Sequence, residues 1–399
     1  MKDHVQTITF GAICIFLFCY FMQFLNLPNA LTVILGGVFC LTEAVQQRRI
    51  RIDAGICLLT LTMVSYYVIV NGVRGLGFTI LYIPLILYVL ANYMVNSVIE
   101  EKRHEEKLLW LIIVFTAGFC IHGVLNSYMY YAGYVIPGTR QWQDFWTGAI
   151  VPGTQHTAYF LPVLSLFLPA VLYFKKRPAV NVLLILLAVF FGYTTLATKS
   201  RMSMMIFAIV FCAQVLLFVL LEKERAKKLI FNRKFQAACV LLLIAVIVGA
   251  FAVKDSEVVT NFIENMGKGG GILNNVRFEA QRLAIKQLFD FPMGGRQMEL
   301  GRTYCHNTWL DMANAGGIIP FFVFAAYTAY TVYELIRLLL KKEILTETKL
   351  MLAGLYGAFF LYLSVEPALD ASIHLITPWI FTNGLIHGRL SLEDKGKSS

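Results

Sequence analysis

The sequence predicts an all-α polytopic membrane protein of about twelve transmembrane helices, with one larger external loop that carries a short amphipathic helix. Three observations carry that expectation. Of the 399 residues, 58% are hydrophobic and only 15% are charged, against about 45–50% and about 25% in ordinary soluble domains, and the mean hydropathy is +0.67. Apolar stretches long enough to cross about 30 Å of hydrocarbon recur along the whole chain. Basic residues gather between alternate stretches, as the positive-inside rule requires. The composition excludes a soluble fold, and it is far too rich in Leu, Ile, Val and Phe for disorder.

The spans fall near 7–26, 29–45, 54–72, 76–95, 108–127, 156–174, 179–197, 202–221, 235–253, 308–336, 350–365 and 374–388. The second and last are short enough to be tilted or partly re-entrant. The tenth is long because it continues into a basic end at Arg337. The first apolar run follows only Lys2 and is followed by no small-residue cleavage site, so it reads as a span and not a leader. The organisation is one integrated membrane domain: spans one to nine over 1–253, an external loop over 254–305, and spans ten to twelve with a tail over 306–399.

With the N-terminus inside, 23 of the 34 Lys and Arg lie on the inner side, and every short inner loop is basic (for example Arg48-Arg49-x-Arg51 and Lys175-Lys176-Arg177). Both termini are then cytoplasmic. The net charge of +10 is accounted for by topology and points to the bilayer, with no nucleic acid as partner. Seven of the eight cysteines (Cys14, Cys19, Cys40, Cys57, Cys120, Cys212, Cys239) fall within spans and read as small apolar packing residues. Cys305 alone reaches the outer side, without an evident partner. No spaced Cys/His group suggests zinc, and no cofactor is implied.

The outer side is where the chemistry concentrates. Residues 128–155 hold Tyr128, Tyr130, Tyr131, Tyr134, Trp142 and Trp146, suited to the membrane interface or to stacking on sugar rings. Asp144 and His156 beside them are candidate acceptor contacts. Thr198-Lys199-Ser200-Arg201 is a tight outer turn with two cations against the topological bias. Thr198 or Ser200 can cap the following span, whose N-terminal end beside Arg201 suits an anion, phosphate above all, although a snorkelling arginine in a solvated turn is the plainer alternative.

In the large loop, Gly267-Lys268-Gly269-Gly270-Gly271 is a flexible stretch, and Asn275 can cap a helix over 276–290 that stops before Phe291-Pro292. Phe278, Leu283, Ile285, Leu288 and Phe289 give that helix an apolar side for the membrane surface or the bundle. Arg282 and Lys286 share a face, whereas Arg277 points about 140° away from Arg282. Pro292-Met293-Gly294-Gly295-Arg296 is a turn-rich return. His306-Asn307-Thr308-Trp309-Leu310-Asp311 enters span ten, and an imidazole there can take a proton from a hydroxyl. Asp311, Glu366 and Asp370 are further, weaker candidates for a base.

Together, Thr198-x-Ser200-Arg201, Arg277 followed by a helix into Pro292-x-Gly294-Gly295, and His306-Asn307-x-x-Leu310 followed by Gly316-Gly317-Ile318-Ile319 resemble the signatures of the O-antigen ligase/Wzy-type O-antigen polymerase superfamily. The resemblance covers roughly 190–325, the first half matching only as a stack of spans. It implies a GT-C type membrane glycosyltransferase of the bacterial plasma (inner) membrane, working on undecaprenyl-diphosphate-linked glycan at the outer face. By position it implies that Arg201 and Arg277 hold the diphosphate and His306 assists the acceptor hydroxyl. Ser200, Arg282 and Asn307 would contact substrate, and a chain-length regulator or flippase would be a partner protein. One departure is Ile319-Pro320 where the family usually reads Gly-Ile-Ile-Gly, a proline expected to kink span ten early. No DxD-like carboxylate pair on the outer side calls for a divalent cation. The expected reaction is polymerisation of repeat units; transfer of a finished glycan to another acceptor, or a lipid-linked oligosaccharide flippase, is the alternative.

Overall fold

A computed structural model describes residues 2–27, 30, 32–37, 52–74, 79–95, 104–137, 139–173, 178–233, 236, 260, 276–371 and 373–396. The expected spans at 29–45 and 235–253, the Gly267–Gly271 stretch and the Asn275 cap lie largely or wholly outside these residues. The described chain is mostly helical, with one small hairpin and a non-helical stretch over 287–307. Among the described residues, six helices are long and apolar enough to cross a membrane: 54–71, 105–131, 155–173, 179–197, 202–221 and 318–340. Their surfaces carry exposed Val182, Leu183, Leu186, Val189, Leu216 and Leu220, an apolar exterior that water would not tolerate and lipid does. The chain is a helical, membrane-embedded protein.

Helix α1 (Lys2–Phe21) lies along α4 (His104–Tyr131), joined by interlocking Phe21, Phe115 and Phe119 rings. Between them in the chain come α2 (Ala54–Arg74) and α3 (Thr79–Tyr93). The span expected at 156–174 is present over 155–173 as a membrane-length apolar stretch built of three consecutive helical pieces: α5 (Gly153–Ala158), α6 (Leu161–Ser165) and α7 (Phe167–Tyr173). Pro162 and Pro169 remove amides that a continuous helix would need. α8 (Pro178–Ala197) and α9 (Arg201–Leu221) match expectation, and α10 (Lys223–Ile230) is a short basic helix.

α11 (Val276–Lys286) is the expected amphipathic helix, shorter than expected because 287–290 close as turns. Its inward side is Ala280, Ala284 and Leu288, packed on Met298, Leu300, Cys305 and Leu310, whereas Phe278, Ile285 and Phe289 stay open. Span ten is broken into α12 (Thr308–Gly316) and α13 (Ile318–Leu340) at Gly317 (φ 84, ψ −169). Pro320 therefore does not kink the span. It occupies the first turn of α13, where no intrahelical partner for its missing N–H is needed. α14 (Thr346–Leu363), α15 (Ala368–Ala371) and α16 (Ile373–Gly396) complete the chain, α16 running along α3 and α14 against α9.

Helix ends that the charge pattern assigns to one side meet one another. Near the start of α14, Glu105 pairs with Arg389 (2.7 Å), Arg225 with Glu347 (2.8 Å), and Thr346 donates to Glu222 (2.7 Å). Near its other end, the segments around residues 277, 306 and 366 come together. Inward-facing aromatics such as Trp379, Tyr327 and Phe359 fill the space between the two ends.

Candidate functional site

The glycines of the expected motifs have a steric task. Gly294 (φ 71) and Gly317 (φ 84) face each other so closely that a Cβ on Gly294 would stand 2.4 Å from the Gly317 nitrogen, and one on Gly317 2.2 Å from the Pro292 oxygen. That approach lets the Gly295 and Arg296 amides donate to the Ala315 and Asn314 carbonyls (2.9 and 2.7 Å), and the Ile318 amide to the Pro292 carbonyl (2.9 Å). The end of α12 and the start of α13 thus have their backbone groups satisfied by the 292–296 turn. Two motifs about twenty residues apart are one interlocked unit, at the opposite end of α12 from its beginning.

At that beginning, Asn307 caps α12 by accepting from the Leu310 amide (3.1 Å), and its side-chain nitrogen donates to the Ser364 carbonyl (3.1 Å). A cap of this kind contributes about 1 kcal/mol. Thr308 donates to the Glu366 carbonyl (2.8 Å). Arg277, from α11, donates through Nη1 to Glu366 Oε1 (2.7 Å) and to the Val365 carbonyl (3.1 Å). His306 Nδ1 stands 3.6 Å from Glu366 Oε2, near but beyond hydrogen-bond range. Gln281, one turn after Arg277 on the same face, donates to the His306 carbonyl (2.9 Å).

The centre of the group is therefore Glu366, 4% exposed. Burial pushes its carboxyl up, but the His306 imidazole and the Arg277 guanidinium outweigh burial and hold it below the usual glutamate range. Arg277 and His306 are each about one-fifth open, with side-chain exposures of 23% and 22%. A cation and an imidazole thus sit side by side over a buried carboxylate, both reachable from outside. Such a pair can hold an anionic group and receive a proton beside it.

The remaining expected site residues are distributed otherwise. Arg282 is 60% exposed and paired with Glu279 (2.7 Å) on the open side of α11, away from Arg277. Arg201 opens α9, but neither neighbour caps it: Ser200 makes no side-chain cap bond, and Thr198 donates back to the Thr194 carbonyl (2.8 Å). Ser200 instead joins Thr157 (2.9 Å) and Ser203 (3.3 Å) in a buried hydroxyl group. Asp311 is not a free base either. It is 4% exposed, and its oxygens accept from the Cys305 and Asn307 amides (2.7 and 3.2 Å). Cys305 is buried and free.

The aromatic loop is more ordered than an interface anchor needs to be. Strands β1 (Gln141–Gln143) and β2 (Ile150–Pro152) pair antiparallel, with Trp142 wholly buried beneath them. Asp144 is its anchor: it accepts from Asn126 (2.8 Å), from the Trp146 and Thr147 amides and the Thr147 hydroxyl (each 3.0 Å), and bonds His122 Nε2 (2.6 Å). Burial opposes ionisation, but these partners, His122 first, hold the carboxyl far below the usual range. His156 bonds Ser127 (3.0 Å). His122 stacks on Tyr159 (4.6 Å between rings). Trp142, Asp144 and His156 are buried, whereas the rings of Tyr128, Tyr131, Tyr134 and Phe145 are open to a ligand or to lipid.

Gln281 and Ser364 were not singled out by the sequence. Gln281 carried a signal, its four-residue spacing from Arg277; Ser364 contributes only a carbonyl, for which residue type gives none. Among the described residues no group of three His, Cys, Asp or Glu side chains is placed to hold a metal ion.

These features define the class: a polytopic α-helical membrane protein with a compact polar site where helix ends meet at one end of its bundle. No protein family matches the chain, and no characterised protein matches it in sequence. The likeness to O-antigen ligases and polymerases rests on the motif residues alone.

Proposed function

We propose that this protein is a membrane glycosyltransferase that joins undecaprenyl-diphosphate-linked oligosaccharide repeat units into a surface polysaccharide. The reading includes about twelve spans, both termini cytoplasmic, and a site on the outer face of a bacterial plasma membrane. The observation that carries it is the meeting of Arg277 and His306, two of the three residues for which the motif resemblance implies a catalytic role, at one buried carboxylate. They come from segments that nothing in the sequence obliges to touch.

The acceptor sugar hydroxyl attacks the anomeric carbon of the lipid-linked donor. The new C–O bond forms as the bond to the diphosphate oxygen breaks, and the electron pair leaves on that oxygen. Arg277, with Arg201, meets the developing charge; guanidinium offers paired planar donors that a lysine lacks. The hydroxyl proton passes to His306, a contribution of about 10²–10⁴-fold for a well-placed base. The polymer stays at the membrane surface because its carrier lipid does.

The test is incubation of purified, reconstituted protein with lipid-diphosphate repeat units, with and without a second acceptor. A ladder from donor alone supports polymerisation. A strict requirement for another acceptor makes the protein a ligase, and movement of donor across vesicles without new glycosidic bonds makes it a flippase.

A further inference from the structure

His306 has a positive φ of 55°, a conformation that non-glycine residues seldom adopt and keep only when their surroundings hold them there. The amides on both sides of it, Cys305 and Asn307, donate to the two oxygens of one carboxylate, Asp311 (2.7 and 3.2 Å). Asp311 is itself fixed on the first turn of α12, 4% exposed, by the Asn307 cap below it and the glycine interlock at the far end of that helix. We infer that Asp311 is a positioning residue for His306: it straddles the imidazole's own peptide unit and sets the direction in which the ring leaves the backbone.

The effect on turnover rests on the proposed role of His306; the tether itself does not. A carboxylate is the one side chain of this length that offers an acceptor to each of two converging N–H groups. Asparagine keeps the shape and loses one acceptor, presenting an NH₂ to an amide that needs an oxygen. With one tether gone, the ring can swing while α12, the cap and the interlock remain. A displacement near 1 Å costs about 10²-fold in reactions that depend on alignment.

Three measurements test it. In the wild-type protein, hydrogen exchange should show the Cys305 and Asn307 amides strongly protected; fast exchange of both would overturn the inference with no variant needed. Carbethoxylation by diethyl pyrocarbonate, read by peptide mass spectrometry, should modify His306 at a rate at least severalfold different in Asp311→Asn. Equal rates in a folded variant would overturn it. In the polymerisation assay, Asp311→Asn should lower kcat about 10- to 100-fold with KM within about twofold, and should have almost no further effect on the residual turnover of His306→Ala. An equal loss in that background means that Asp311 acts elsewhere. If His306→Ala turns over like wild type, the functional reading of His306 fails instead, and the exchange and labelling results still decide whether Asp311 holds it.

Discussion

Removing Arg277 should do two separable things, and the structure says how to separate them. Glu366 is buried with a side-chain exposure of 5%, and Arg277 lies against it at 2.7 Å. Arg277→Ala leaves a charged carboxylate in a water-poor site without its cation, which typically costs about 3–5 kcal/mol. Glu366→Gln keeps an acceptor for the guanidinium and removes the charge, a loss of about 1.5–3 kcal/mol, the worth of a hydrogen bond to a charged group. The double variant leaves no unpaired carboxylate at position 366, so it should be more stable than Arg277→Ala alone. Under the proposed role of Arg277 as a diphosphate donor, it should nevertheless make no polymer. Unfolding of the reconstituted proteins in mixed micelles, followed by tryptophan fluorescence, measures the first effect, and ladder formation measures the second. The pH dependence has a definite sign. The native carboxyl is held below its unfolded value, so the pair's contribution is complete above the ordinary glutamate range and fades as pH falls through the lowered native value. If Arg277→Ala is as stable as wild type, or if the double variant is no more stable than it, the central ion pair is not what holds these segments together. Long polymer from either Arg277 variant would sink the diphosphate role.

Other variants address the rest of the site. His306→Ala should cut turnover about 10²–10⁴-fold with donor binding intact, and initial rates equal to wild type would remove it as the base. Arg201→Ala should abolish polymer while insertion persists, a result read by ladder gels and by membrane extraction. Arg282→Ala should leave stability and donor use near wild type, because its pair with Glu279 is solvent-exposed; a large loss of donor affinity would return it to the site. Gly317→Ala forces a side chain into a backbone region kept almost wholly for glycine, at about 1–3 kcal/mol before the clash with Pro292 is counted. It should lower both the unfolding midpoint and activity. Asp144→Asn should lose about 1.5–3 kcal/mol and open the 141–152 hairpin to protease, whereas mild acid alone should not, since the native carboxyl is held so far below the usual range.

The aromatic loop shows where a one-dimensional pattern loses its grip. Tyr and Trp density marks residues 128–155 as interfacial, but density does not say which rings face out. Trp142 is buried because Asp144 ties the hairpin down over it, and the tie comes from His122 and Asn126, about twenty residues earlier. Span ten is a similar case. Pro320 looks like a kink from its residue type, yet the break is at Gly317, because only there does the 292–296 turn come close enough to supply the backbone bonds.

Transfer free energy and local geometry are all that a sequence needs in order to act, and they account for the features it determined by itself. Apolar length made the helices, and the four-residue rule separated Arg277 from Arg282. Only the tertiary structure decided which of the cations and carboxylates meet. Glu366 and Asp311 look alike in sequence, two acidic residues beside an apolar stretch. One receives a guanidinium and faces an imidazole, and the other is spent on two backbone amides. That difference depends on long-range approach of chain segments through paired glycines, which no local pattern of hydrophobicity or charge encodes.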